Sequence, residues 1–172
     1  MKRSLILLIA LTALAGCASL SESECRAGDW RSIGVEDGSA GYGFDRLEVL
    51  RSACSDYGIT PNAEAWEAGR QQGLEYYCTP TQAWKEGARG RPLSPVCGSE
   101  NAALLERENF RGLTYRRIEK EIRSAENDID SINRSLATLA RDHPARAMLI
   151  AERNSLRLRI LRLRAERTRY TL

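Results

Sequence analysis

The chain has 172 residues, 28% of them charged, and a formal net charge of +3. That balance does not read as a nucleic-acid binder, and the length bounds the chain to one or two small domains. Its basic residues are overwhelmingly arginine; past residue 16 the only lysines are Lys85 and Lys120.

Residues 1–17 read MKRSLILLIALTALAGC. Lys2 and Arg3 form a positive head, Leu5 to Leu14 a short apolar run, and Leu14-Ala15-Gly16-Cys17 a small-residue cleavage pattern. The run is too short to span a bilayer and has the layout of a secretory signal. With a cysteine just after the cleavage point it resembles a bacterial lipoprotein signal, which implies that Cys17 is lipidated and heads the mature chain. Removal of residues 1–16 takes away Lys2 and Arg3 and leaves a formal charge of +1. In the lipoproteins this segment resembles, an aspartate after the cysteine commonly marks inner-membrane retention. Ala18 stands there instead, so the expectation is the outer membrane, periplasmic face. No later apolar run approaches the ~20 residues of a transmembrane helix.

Residues 17–24 are small and polar and are expected to be a tether from the lipid. Residues 25–98 form the first expected domain. They hold all three tryptophans and almost all the remaining glycine and proline, which cuts them into short segments. Helices are expected over about 28–40, 44–56, 62–77 and 81–89. Turns are marked by Gly41-Tyr42-Gly43, Gly58-Ile59-Thr60-Pro61 and Thr79-Pro80. Thr60 before Pro61 has the form of a helix cap with proline at the first helical position.

A weak repeat runs through this part: Trp30-x3-Gly34-x3-Gly38, Trp66-x2-Gly69-x3-Gly73 and Trp84-x2-Gly87-x2-Gly90. Spacings of three and four share a helix face. Each segment therefore offers an indole and a glycine strip. Glycine inside a helix costs ~1 kcal/mol relative to alanine, which is reasonable where another backbone or ring must approach closely.

Cys25, Cys54, Cys78 and Cys97 accompany Cys17, and in an oxidising compartment they read as two disulfides. Four cysteines allow three connectivities. Hairpin geometry favours Cys25–Cys54 and Cys78–Cys97, because each pair would join the start and end of a helical return. A zinc site is disfavoured, since no C-x2-C pair exists and the one histidine, His143, lies far along the chain.

The ordered residues Trp30, Gly34, Asp37-Gly38, Gly41, Cys54, Gly69-Arg70, Gly73-Leu74, Tyr77-Cys78, Gly87, Gly90 and Cys97 resemble a family of Gram-negative lipoproteins. It is a domain-of-unknown-function family, number twenty-seven ninety-nine. The resemblance covers about residues 25–98. It implies location and fold, and no activity, cofactor or catalytic residue.

Composition shifts near Gly98-Ser99, and Ser99 is a candidate cap for the next helix. Tyr115, Ile118, Ile122, Ala125, Ile129, Ile132, Leu136 and Leu139 alternate spacings of three and four, an a/d heptad seam. Asp142-His143-Pro144 interrupts it. A second helix carries Leu149, Leu156, Ile160, Leu163 and Tyr170 on one stripe. Helices over about 101–141 and 145–170 are expected to fold back as an antiparallel hairpin. Position i would then face roughly 285 − i, placing Glu121, Glu126 and Asp128 near Arg164, Arg159 and Arg157. Arg153 and Arg167 sit at seam positions and need carboxylates or exposed stems. The alternative is an intermolecular coiled coil, a homo-oligomer through residues 101–172.

The expected fold class is therefore all-α: a small disulfide-bonded helical domain followed by a long helical hairpin. No catalytic residue, metal ligand or cofactor motif stands out: there is no nucleophile motif, no phosphate-binding glycine loop, and His143 reads as a turn residue. The leading expectation is a non-enzymatic, lipid-anchored outer-membrane protein with a structural or protein-binding role in the envelope. The alternative is a small-ligand or glycan-binding module built on Trp30, Trp66, Trp84, Asp37, Arg70 and Tyr77.

Overall fold

The structure, a computed structural model, describes residues 20–172; the expectations for the signal and for Cys17 lie outside these residues. Helices α1 (Glu22–Ala27), α2 (Trp30–Ser39), α3 (Arg46–Ser55), α4 (Ala63–Tyr77) and α5 (Pro80–Arg89) are followed by a short 3-10 turn, Ser99–Asn101. The long helices α6 (Ala102–Thr138) and α7 (Ala145–Arg167) complete the chain. Among the described residues there is no strand. The fold class is all-α, as the periodicities indicate.

Local signals account for most helix ends, with three corrections. Part of the expected tether is helical: Ser21 and Glu24 make a reciprocal capping box that starts α1. Thr60-Pro61 does not cap a helix; Asn62 caps α4 through the Ala65 N–H, and Thr79 caps α5 with Pro80 at its first position. Ser99 falls inside the 3-10 turn, and its side chain caps nothing.

Both disulfides join the pairs favoured by hairpin geometry. Cys25–Cys54 has Cα atoms 5.7 Å apart, and Cys78–Cys97 has them 5.5 Å apart. On the chain-entropy picture each contributes about 3 kcal/mol. Cys25 and Cys54 are themselves core residues, packed with Trp30, Leu47, Leu50 and Trp66. Leu20, Ile33 and Ile59 close over that core.

The glycine strips are used for backbone-to-backbone crossings. A Cβ on Gly34 would stand 2.0 Å from the Trp66 carbonyl oxygen, and one on Gly69 2.0 Å from that of Arg31. Gly38 meets Arg70 and Gly73 meets Val35 in the same way, so α2 and α4 run in the same sense. The α5–α6 crossing repeats the contact. A Cβ on Gly87 would lie 2.1 Å from the Asn109 carbonyl oxygen, and one on Gly112 2.1 Å from that of Trp84. Trp84 and Gly87 thus stand to Asn109 and Gly112 as Trp66 and Gly69 stand to Arg31 and Gly34. The Trp-Gly repeat of the sequence is one packing unit used twice, with Trp30-Gly34 on the opposite side of the first crossing.

The composition break near Gly98 is not a break in packing, because α6 enters the α5 crossing at Asn109 and Gly112. Beyond that point α7 returns along α6. Ile118, Ile122 and Ala125 pack against Ile160 and Leu163, with Ile129, Leu156 and Tyr170 at the margin. The turn between them is tied by Arg146, whose guanidinium donates to the Leu136 and Leu139 carbonyls left open at the end of α6.

Charge pairing differs in detail from the register expectation. Glu121 bonds Arg159 at 3.1 Å and Glu126 bonds Arg164 at 2.8 Å, so the two partners are exchanged. The reason is rotational. Glu126 and Arg164 leave one flank of the seam, and Glu121 and Arg159 leave the other. In antiparallel helices like flanks face each other, so register alone does not assign partners. Asp128 and Arg157 make no ion pair among the described residues. Of the seam arginines, Arg167 reaches Glu119, while Arg153 reaches only the Asn133 amide oxygen at 3.2 Å and leaves its Nε without a partner.

The glycine crossings generate a direct test. Gly34→Ala should lower stability by about 2–3 kcal/mol, since backbone and not a movable side chain blocks the methyl. Gly98→Ala, whose Cβ would meet nothing within 4 Å, should change it by less than about 0.5 kcal/mol. Urea unfolding of the two variants makes the comparison.

Candidate functional site

The six residues expected to form a binding site divide into three places. The first lies where α2 runs out into the Gly41-Tyr42-Gly43 turn. Asp37 is buried there, and both its carboxylate oxygens are engaged. Oδ1 accepts from Arg46 Nε at 3.2 Å and Oδ2 accepts from the Trp66 indole N–H at 2.9 Å. Trp66 is fully buried, and Phe44 meets its ring edge-on at 6.0 Å. Arg46 also stacks over Tyr42, 4.8 Å from the ring centre.

Arg70, expected in the same site as Asp37, does not pair with it. The guanidinium turns along its own helix to Glu67, with contacts of 2.7 and 2.8 Å, and donates to the Tyr42 carbonyl at 3.3 Å. The bond from Arg70 holds the Glu67 carboxyl below the usual range, and the same bond raises Arg70. Glu67, one turn before Arg70 on α4, takes the arginine because the i,i+3 spacing puts the two on one face. Asp37 is left to Arg46 from α3, which follows the glycine turn.

Trp30 lies in the core beside Cys25 and Cys54. Trp84 is apart from the other two indoles. Its ring tilts against Tyr115, 5.3 Å between centres, and its N–H donates to the Tyr170 carbonyl at 2.7 Å. Arg111 donates to the neighbouring Thr171 carbonyl at 3.0 Å. The second crossing therefore holds the end of α7, as the first holds Asp37.

Tyr77 has a third role. Its buried ring fills the space beneath Gly41, and its hydroxyl accepts from the Ser94 N–H at 3.0 Å. Burial pushes the phenol upward. It is one anchor of the segment 91–98, which crosses back over the domain. Asn109, which sequence reasoning did not single out, is another. Its amide donates to the Ala83 and Arg91 carbonyls, both at 3.0 Å, and its oxygen accepts from the Leu93 N–H at 3.2 Å. A lone asparagine in a charged helix carries no motif; its nearness to Gly112 on the same helix is the one sequence hint. Glu86 completes the anchor, accepting from Arg89 at 2.8 Å and from two nitrogens of Arg91. Its bonds to Arg91 keep the carboxyl below the usual range against the opposing effect of burial.

Chemically the arrangement is one of satisfied pairs. Asp37 accepts from an indole and a guanidinium, and among the described residues no serine or thiol hydrogen-bonds to it. Among the described residues no group of three or more His, Cys, Asp or Glu side chains is placed to hold a metal ion. Two aromatic rings beside the first crossing reach solvent: Tyr42 and Phe44 are 43% and 60% exposed.

The family described as "Protein of unknown function (DUF2799)" matches residues 29–114. The matched segment opens at the cap of α2 and closes just past Gly112, so it encloses both glycine crossings and extends beyond residue 98 into α6. No curated protein and no solved structure matches the chain.

Two tests address the buried pairs. Asp37→Ala should cost about 2–3 kcal/mol, because it leaves the buried Trp66 N–H without its acceptor and removes a buried carboxylate from beside Arg46. Asp37→Asn should cost less, since its amide oxygen still accepts from the indole; thermal unfolding of both variants ranks them. Glu86 has a lowered pKa, so its contribution is present above the unfolded value and is lost as pH falls through the folded one. The stability difference between the native chain and Glu86→Gln should therefore be largest at neutral pH and shrink toward about pH 3, as read by denaturant titration at each pH.

Proposed function

Taking as premise that the chain belongs to the DUF2799 family, whose description assigns no activity, we propose that it is a lipid-anchored envelope protein that works by binding a protein partner. Cys17 carries the lipid, and the protein faces the periplasm from the outer membrane. The observation that carries this reading is the Leu14-Ala15-Gly16-Cys17 pattern followed by two disulfides. Disulfides persist where the compartment is oxidising. No helix of the described residues is long and apolar enough to cross a membrane, which suits attachment through a lipid.

The partner-binding part rests on shape and on what the core consumes. Helix α6 has 37 residues, about 55 Å at 1.5 Å per residue. Paired with α7 it offers far more surface than its own packing needs. The indoles of Trp66 and Trp84 have committed their N–H groups inside the protein, and Trp30 is buried. That favours partner binding over a glycan groove built from these residues.

Cys17→Ser tests the anchor. The variant should lose palmitate labelling and leave the outer-membrane fraction. Retention of both would mean that another residue or contact holds the protein to the membrane.

A further inference from the structure

Helix α7 carries a second seam on the face turned away from α6. Ala147, Ala151, Asn154, Leu158, Leu161 and Ala165 follow one another at spacings of four and three, and all six are exposed. Each precedes by two residues a position turned toward α6: Leu149, Arg153, Leu156, Ile160, Leu163 and Arg167. Two residues on a helix are a rotation of about 200°, which places this seam on the opposite side. Leu158 and Leu161 are each 61% exposed. A stripe required only for the hairpin would have no reason to recur in heptad form on the outer face.

The structure also sorts the arginines of α7. Arg159, Arg164 and Arg167 are turned to carboxylates of α6. Arg157 and Arg162, which border the outward seam, are exposed and make no ion pair among the described residues. Glu119, Glu121 and Glu126 of α6 hold the other set, and Asp128, which register sets against Arg157, forms no ion pair with it among the described residues.

We propose that the outward face of α7 docks an acidic helix of another protein, one with an apolar heptad seam flanked by Glu or Asp. This rests on the partner-binding reading above and names the chemistry of the partner. Two features select that occupant, and two other occupants are disfavoured. The alanines at 147, 151 and 165 admit a close helix, as heptad packing requires. Arg157 and Arg162, with no ion pair among the described residues, call for carboxylates beside the seam. A second copy of the same face would set arginine against arginine. A bilayer would gain little from two leucines set among alanines and an asparagine.

The test uses the full chain in a neutral detergent and two designed four-heptad peptides. They share one leucine–alanine seam and differ only in carrying glutamate or lysine at the flanking positions. The glutamate peptide should bind at least about tenfold more tightly than the lysine peptide, and added salt should narrow the gap. Leu158→Asp with Leu161→Asp should weaken that binding at least about tenfold. Arg157→Glu and Arg162→Glu together should reverse the preference. These positions are exposed, so circular dichroism should show the helices intact in both variants. Equal binding of the two peptides, or binding indifferent to Leu158 and Leu161, overturns the proposal. So does a concentration-dependent homodimer that the leucine variant abolishes. Stoichiometric displacement of the glutamate peptide by phosphatidylglycerol added to the micelles overturns it in favour of a lipid surface. None of these outcomes touches the anchor, which the palmitate label reads separately.

Discussion

Backbone contact between helices is the constraint on which the rest of this protein depends. Side chains ordinarily hold packed helices roughly 8–10 Å apart. At the α2–α4 and α5–α6 crossings a carbonyl oxygen of one helix sits where a Cβ of the other would be. Such an approach gathers few apolar atoms, so the crossings need support from either side. The first has the Cys25–Cys54 core on one side and the Asp37–Trp66 bond on the other. The second has Asn109 bridging to the segment 91–93 and Trp84 set against Tyr115. The same tryptophan–glycine geometry is thus stabilised by an ion-linked indole in one case and by an aromatic pair in the other.

The second crossing links the compact part of the molecule to the hairpin. Helix α6 begins as a partner of α5 and continues as a partner of α7 without interruption. Trp84 and Arg111 hold the carbonyls of Tyr170 and Thr171, so α7 is secured where it returns to the base as well as along its seam. A projecting helix pair fixed in this way presents its outer face in a defined direction. That is the property a docking surface requires, because the partner does not have to supply the ordering of the helix it meets.

Polar groups in the interior are used as ties between segments distant in sequence. Asn109 satisfies both its donors and its acceptor on backbone atoms of residues 83, 91 and 93. Tyr77 offers its hydroxyl to Ser94, and Glu86 gathers Arg89 and Arg91. With the Cys78–Cys97 bridge these bonds hold a glycine- and proline-containing segment that has no helix of its own. Buried groups satisfied so fully define one arrangement, since moving the segment would leave several of them unpaired.

The sequence by itself determined the class and most of the elements, though not α1, and favoured one of three possible cysteine pairings. Apolar periodicity, caps and glycine–proline punctuation are local, and the seams at 115–139 and 149–170 record their own burial residue by residue. The glycine strips announced close contact, but not with what. Only the tertiary structure decided that Gly34 faces the Trp66 carbonyl, that Gly112 belongs to the same kind of crossing, and that Asp37 takes Arg46 while Arg70 turns to Glu67. It also decided which arginines of α7 are spent on Glu119, Glu121 and Glu126 and which remain outside. The physical reason is common to these cases. A charge or a hydrogen-bond donor has many acceptable partners in sequence, and rotation of the packed helices about their axes selects the one within reach.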